Sequence, residues 1–380
     1  MRQVFLKSDS IISPMGFGSG TNLQQIRLQQ SALKLQKPTS KYPSGYYAGI
    51  LDNDIIDHSF SLIGNCKNYS KLEKMLILAI NDVVIKESID FEHTALVIAT
   101  TKGNIDLLNS DAFTKERVEL WKMAQVVADF FEFQQKPIVV SNACISGGLA
   151  IKTAADFIKY GKFDSAIVAA GDLVSDFVLS GFQSFQAMSE LACKPFDARR
   201  NGISLGEAAA AVYLDTKPSE DTEIEFIHAV TTNDANHISG PSRDGEGLYQ
   251  AISRLKLFTG ISSEEIDFIS AHGTATVYND EMEALAFSRS QLDHVPLHSL
   301  KGYLGHTLGA SALIESIMLK HGMLNNEMLI SKNFENLGTS VPLNITTEVS
   351  QKELGTALKT ASGFGGCNIA MLFEKTEAHE

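Results

Sequence analysis

The feature that most constrains this chain is an alternation, present in both halves, of short β-branched apolar runs with longer segments of helical spacing. In the first half, TALVIAT (Thr94–Thr100) predicts a buried strand. Glu116–Phe133 predicts a helix with Leu120, Trp121, Ala124 and Val127 on its apolar side, and PIVVSNAC a second strand. Ser146–Tyr160 predicts a helix, and SAIVAAGD (Ser165–Asp172) and AAAAVYLD (Ala208–Asp215) two more strands. A polar break, TKPSEDTE (Thr216–Glu223), precedes a fresh round: strand IEFIHAVTT, helix Gly247–Leu257, strand IDFISAHG, then helices Glu281–Arg289 and Ala310–Met323. Strands separated by helices call for mostly parallel sheets covered on both faces. The expected architecture is α/β, in two halves of like rhythm that divide as residues 1–217 and 218–380.

A chain of 380 residues, 44% hydrophobic and 20% charged, is long enough to bury such a core. Its formal charge of −13 repels phosphate backbones and argues against nucleic acid as a partner. The four cysteines, Cys66, Cys144, Cys193 and Cys367, contain no Cys-x-x-Cys pair. Neither a zinc cage nor a disulfide framework fits that spacing, so no metal is expected, and free thiols suit a reducing cytoplasm. The opening MRQVFLKSDSIISPMG has no signal-peptide core. No membrane span is expected either, since Asp172 and Asp176 interrupt the apolar stretch Ala166–Leu179.

Chemistry concentrates in three turns. SNACISGGLA (Ser141–Ala150) places Cys144 between a strand and a helix, where backbone N–H groups and the helix macrodipole favour thiolate and so predict a lowered pKa. Gly147 and Gly148 permit close approach of a substrate or a neighbouring helix. SAHGTAT sets His272 at a strand end beside the hydroxyls of Thr274 and Thr276. KGYLGHTLGA sets His306 before a helix, five residues after Lys301. Strand ends in α/β proteins carry reactive groups. The other eight histidines are assigned to ordinary structural roles. A cysteine nucleophile with two imidazoles points to acyl transfer through a thioester, leaving hydrolysis, thiolysis and carbon–carbon bond formation open.

Six segments in order, SNACISGGLA, GFQSFQAMS, KPFDARRNGISLGEAAA, AHGTATVYNDEMEA, SLKGYLGHTLGASALIE and SGFGGCN, resemble a β-ketoacyl-acyl-carrier-protein synthase of the elongating Cys-His-His type. The likeness runs from IISPMG (Ile11–Gly16) to the last strand, and the compact opening is similar to ketosynthases of aryl-polyene and other specialised bacterial pathways. The resemblance implies a thiolase-like fold with a duplicated five-layered α-β-α-β-α core. It implies decarboxylative condensation of malonyl carrier with an acyl group held on Cys144. No cofactor is expected beyond the phosphopantetheine of the carrier that brings the substrates.

By the same resemblance, His272 and His306 match the two catalytic histidines, and Lys301 and Glu315 match a lysine and an acidic residue, read as an ion pair orienting His306. Thr274 and Thr276 match pantetheine-binding hydroxyls, and Phe182 an aromatic of the acyl pocket. Phe364 matches a gating aromatic whose N–H joins that of Cys144 in an oxyanion hole. The implied partner is an acyl carrier protein, and a homodimer is expected, with a heterodimer of related subunits as the other arrangement. Because the carrier is acidic in this family, basic side chains are sought for docking: Lys67, Lys71 and Lys74 in one run, Lys194, Arg199 and Arg200 in another. The alternative to an enzyme is a chain-length-factor-like subunit without catalysis, which the retained Cys144, His272 and His306 disfavour. A thiolase would carry a different C-terminal cysteine motif, and a starter-unit synthase an asparagine in place of one histidine.

Overall fold

The computed structural model describes residues 2–38, 45–218, 222–235 and 240–376. Residues 219–221 of the polar break, His237 and His379 lie outside them. Ten strands follow one path: β1 (Phe5–Ser13), β2 (Thr94–Ala99), β3 (Ile138–Val140), β4 (Ser165–Asp172), β5 (Ala208–Asp215), β6 (Glu223–Asn233), β7 (Phe268–Ser270), β8 (Leu297–His298), β9 (Thr356–Gly363) and β10 (Cys367–Thr376). Their spatial order is β8-β7-β9-β10-β6-β1-β5-β4-β2-β3. Read inward from either edge, each half runs third, second, fourth, fifth, first. The pairings repeat as well. Within each half the second strand is parallel to the third and fourth, while the fifth is antiparallel to the fourth and first. The sheet is thus mixed, where the sequence rhythm suggested mostly parallel pairing. The halves meet where β1 and β6 pair antiparallel at Phe5–Glu225 and Leu6–Ile224.

Side-chain alternation along the strands explains the layers. Ala95, Val97 and Ala99 face one core, while Leu96 and Ile98 face another. The first core is shared by both halves and holds two helices, α3 (Ser146–Lys159) through Ile151, Ala154 and Ile158, and α7 (Ser311–Asn325) through Leu313 and Ile317. Outside one half lie α1 (Lys71–Val84) and α2 (Leu120–Phe130), and outside the other α5 (Glu246–Thr259) and α6 (Val277–Arg289), with α4 (Asp176–Ser184) over the site described below. The result is α-β-α-β-α, as expected. No described helix is long and apolar enough to cross a membrane.

Two boundaries moved for local reasons. The helix expected from Glu116 begins only at Leu120, because Glu119 is extended and Lys115–Val118 form a 3-10 turn; Trp121 is exposed while Ala124 and Val127 are buried. The helix expected from Glu281 begins at Val277, because the Thr276 hydroxyl accepts the N–H of Asn279 and caps it.

Candidate active site

Cys144 sits in the turn from β3 to α3. The preceding residue, Ala143, is left-handed at φ 44°, and the Ser146 hydroxyl ties the turn by accepting from Asn142 N–H at 2.8 Å and donating to Ala143 O at 2.6 Å. Gly147 matters to the helix rather than to a substrate: a Cβ there would lie 2.8 Å from the backbone nitrogen of Leu313, so only glycine lets α3 and α7 touch.

His272 leaves β7 into a loop held from behind by α6. Glu283 accepts the N–H groups of His272 (2.8 Å) and Gly273 (2.6 Å), while Asp280 accepts those of Thr274 (2.9 Å), Ala275 (3.1 Å) and Phe196 (2.7 Å). Burial pushes both carboxyls up, Asp280 to about 6 and Glu283 to about 7. Sequence reasoning missed this pair. Its signal was two acids three apart in the first turns of a helix that follows a glycine-bearing loop. His306 lies between a short turn (Lys301–Leu304) and α7, with its N–H donated to Ser204 O at 2.7 Å.

These turns converge. His306 Nε2 lies 3.1 Å from Cys144 Sγ, the two imidazole centroids are 5.2 Å apart at 85°, and all three side chains are buried. The donors around each ring set its tautomer. His306 Nδ1 faces the Leu308 N–H at 3.0 Å, and His272 Nδ1 faces the Lys301 ammonium at 3.2 Å. The Ser311 hydroxyl, 3.1 Å from His306 Nδ1, can donate as well as accept, but the amide and the ammonium can only donate, so both rings carry their proton on Nε2. Burial first, and the buried lysines second, hold both histidines well below the ordinary value, so the rings are neutral. The pair is therefore two neutral N–H donors rather than two bases.

The thiol corrects an expectation. Burial pushes Cys144 up to about 12, against the lowered value that the helix N-terminus alone suggests. The sulfur does face donors, from His306 Nε2 and from the backbone N–H of Phe364. Desolvation outweighs them, and the resting group is a thiol.

The three side chains open into a cavity of about 280 Å³ lined also by Phe182, Phe185, Thr274, Thr276, Asn279 and Phe364. The hydroxyls of Thr274 and Thr276 are 3.0 Å apart on its wall. The Phe364 ring packs, tilted, against Phe182 (5.6 Å) and Phe185 (5.2 Å), the latter not anticipated from the sequence. Cys144, His272 and His306 offer ligand atoms within 4.8 Å of one another, but hydrogens rather than lone pairs point inward from both rings, which does not suit a cation.

Other expectations need correction. Lys301 serves His272, not His306: its ammonium donates to His272 O at 2.6 Å and Glu315 Oε1 at 2.7 Å and faces His272 Nδ1. Several of the basic side chains sought for docking have partners within the chain, while Lys67 is exposed. Lys71 pairs with Glu207, Lys74 is buried against Asp57, and Arg200 is buried, donating to the carbonyls of Asp197, Gly338 and Val277. Lys194 pairs with Glu335 at 3.1 Å.

Two like α/β halves with a Cys-His-His centre at their junction define a thiolase-like protein. Residues 87–219 match the family model described as the β-ketoacyl synthase N-terminal domain, and residues 225–334 that of its C-terminal domain, together more than half the chain. The chain belongs to the β-ketoacyl synthase family. It is 30% identical over 259 residues to 3-oxoacyl-[acyl-carrier-protein] synthase 2 of Rhizobium meliloti, a match spanning 63% of this chain and 61%, less than two thirds, of that relative. The ketosynthase–chain length factor complex from Xenorhabdus doucetiae contains a chain with TM-score 0.85 at 22% identity, covering 99% of this chain and 98% of that one. A ketosynthase solved with a type II polyketide acyl carrier protein and bound to a hexaketide gives 0.85 at 20% identity, covering 99% and 100%.

Proposed function

We propose that the protein is a β-ketoacyl-acyl-carrier-protein synthase that extends an acyl chain by two carbons. The observation that carries this reading is the convergence of Cys144 sulfur, His306 Nε2 at 3.1 Å from it and the His272 ring beside them in one cavity, where both imidazoles are placed to donate. Such a pair holds a developing enolate oxygen without supplying a base that would hydrolyse the thioester.

In the first half-reaction, Cys144 sulfur attacks the carrier-bound thioester carbonyl. The N–H groups of Cys144 and Phe364 receive the tetrahedral oxyanion, each contributing about 3 kcal/mol. Collapse expels the pantetheine thiolate, which takes the cysteine proton, and leaves acyl-Cys144. Because the resting thiol is protonated, proton loss accompanies attack rather than preceding it. Malonyl thioester then loses carbon dioxide, and His272 and His306 donate to the enolate oxygen. The enolate carbon attacks the acyl carbonyl, expulsion of Cys144 thiolate releases the β-ketoacyl carrier, and a proton taken up from water restores the resting thiol. Thr274 and Thr276 hydrogen-bond the pantetheine arm, Phe182 and Phe185 line the acyl path, and Phe364 gates it. Lys301 and Glu315 position His272.

The partner is an acyl carrier protein, in keeping with the carrier complex among the structural relatives, and a second ketosynthase-like subunit completes a dimer. Four free cysteines fit a cytoplasmic setting. Intact-mass analysis after incubation with an acyl carrier thioester tests the first step: an acyl adduct is expected on the native chain and absent from Cys144→Ala. Adding malonyl carrier should give a product two carbons longer. Free acid without malonyl consumption would assign a hydrolase, and no adduct at all a non-catalytic subunit.

A further inference from the structure

Lys359, on β9, is fully buried, and nothing above requires a cation there. Its ammonium lies 3.1 Å from Ser270 O, 3.3 Å from Ala271 O and 2.7 Å from Thr360 O, with Glu315 Oε2 at 2.7 Å. Three N–H groups serve the three carbonyls, so the carboxylate oxygen faces the charge without a hydrogen bond of its own. Four oxygens closing on one buried positive charge form a cation shell, and here the cation is covalently attached to the chain. The shell joins parts of the site. Ser270 and Ala271 directly precede His272, and Glu315 holds Lys301 on its other oxygen, at 2.7 Å.

We propose that Lys359 is a positioning residue for condensation: its ammonium is a tethered cation that pins the backbone entering the His272 loop and orients Glu315, so that Lys301 keeps His272 as an Nε2–H donor. The groups facing it are Glu315 on α7, Lys301 in the preceding turn, Glu283 on α6, and His272 and His298 at the ends of β7 and β8. Glu315 is shared by two lysines, so losing one leaves Lys301 free to swing onto both carboxylate oxygens and away from His272. This rests on the condensing role above, yet its structural half does not.

The test compares Lys359→Met, which keeps the volume, with Lys359→Ala, which opens the shell. Acylation of Cys144, condensation, melting temperature and the 15N signal of His272 are read for each. For Lys359→Met, condensation is expected to fall about 10-fold, the scale of lost outer partners at other sites, with acylation little changed and the His272 tautomer mixed. For Lys359→Ala, ammonium, methylammonium or potassium should raise both the melting temperature and the condensation rate, with no such response in the native protein. Native condensation and an unshifted His272 signal in Lys359→Met would overturn the proposal, as would Lys359→Ala indifferent to all three cations. If the native protein does not condense, the proposed function falls, while the cation-dependent melting and the His272 signal still decide the role of the shell. Should neither variant fold, the 15N signal of Lys359 in the native protein decides: a slowly exchanging ammonium is expected, and a neutral amine would overturn the idea.

Discussion

At the scale of single residues, the reacting groups were legible because each stands in a turn whose sequence says little else. Cys144, His272 and His306 follow strands and precede helices, and glycine and hydroxyl neighbours mark the places. Their protonation was not legible. The turn at Cys144 suggests an activated thiol, yet burial reverses the shift, and burial depends on residues far away in the chain. Lys301 was paired with the wrong histidine for the same reason, since spacing along the chain measures no distance across it. Lys359 was passed over because a lysine inside a strand reads as exposed until the carbonyls around it are known. Neutral rings carry a pH prediction. Both histidines sit well below their ordinary value near 6.5, so each stays unprotonated as pH falls through that range, and donation to the enolate persists. The kcat for condensation should stay flat from about pH 8 to below about 6.5. An acid limb at the ordinary histidine value that moves on substituting His272 would contradict neutral donors.

At the scale of elements, strands β2, β4 and β5 declared themselves as unbroken apolar runs, buried on both faces. The shortest did not: β8 has two residues, too few for a pattern, and only its neighbours make it a strand. Helix α6 shows an element acting on a site from behind, through carboxylates that hold the His272 loop. Three backbone N–H groups converge on the Asp280 carboxylate, and none of them has another acceptor within the loop. Asp280→Asn would turn one oxygen into a donor facing donors. Its expected cost is about 1–3 kcal/mol of stability, read by denaturant unfolding. Condensation should drop with it while Cys144 still accepts an acyl group, because the loop that loosens carries His272. Equal losses in both half-reactions would show that the damage spreads beyond the loop.

At the scale of the molecule, the change of composition at Thr216–Glu223 pointed to two halves, but their dependence on each other was invisible. Val97, Val168 and Ala210 of one half share a core with Ala357, Ile369 and Met371 of the other, and α3 and α7 lie together in that core. Each half alone would leave that face in water, an apolar surface larger than a soluble monomer tolerates. Residues 1–217 or 218–380 expressed separately should therefore lack cooperative unfolding, whereas the two refolded together should regain it, read by near-ultraviolet circular dichroism. A half that melts cooperatively by itself would refute this dependence. The repeated strand order carries a last consequence. Cys144 and His306 each stand after the third strand of their own half and before the helix it shares with its twin, so a rotation that superimposes one half on the other carries the sulfur toward the imidazole. The reaction centre thus joins corresponding corners of the two halves. One topological corner, used twice, supplies the attacker in one half and the proton donor in the other, so neither half holds the reaction by itself.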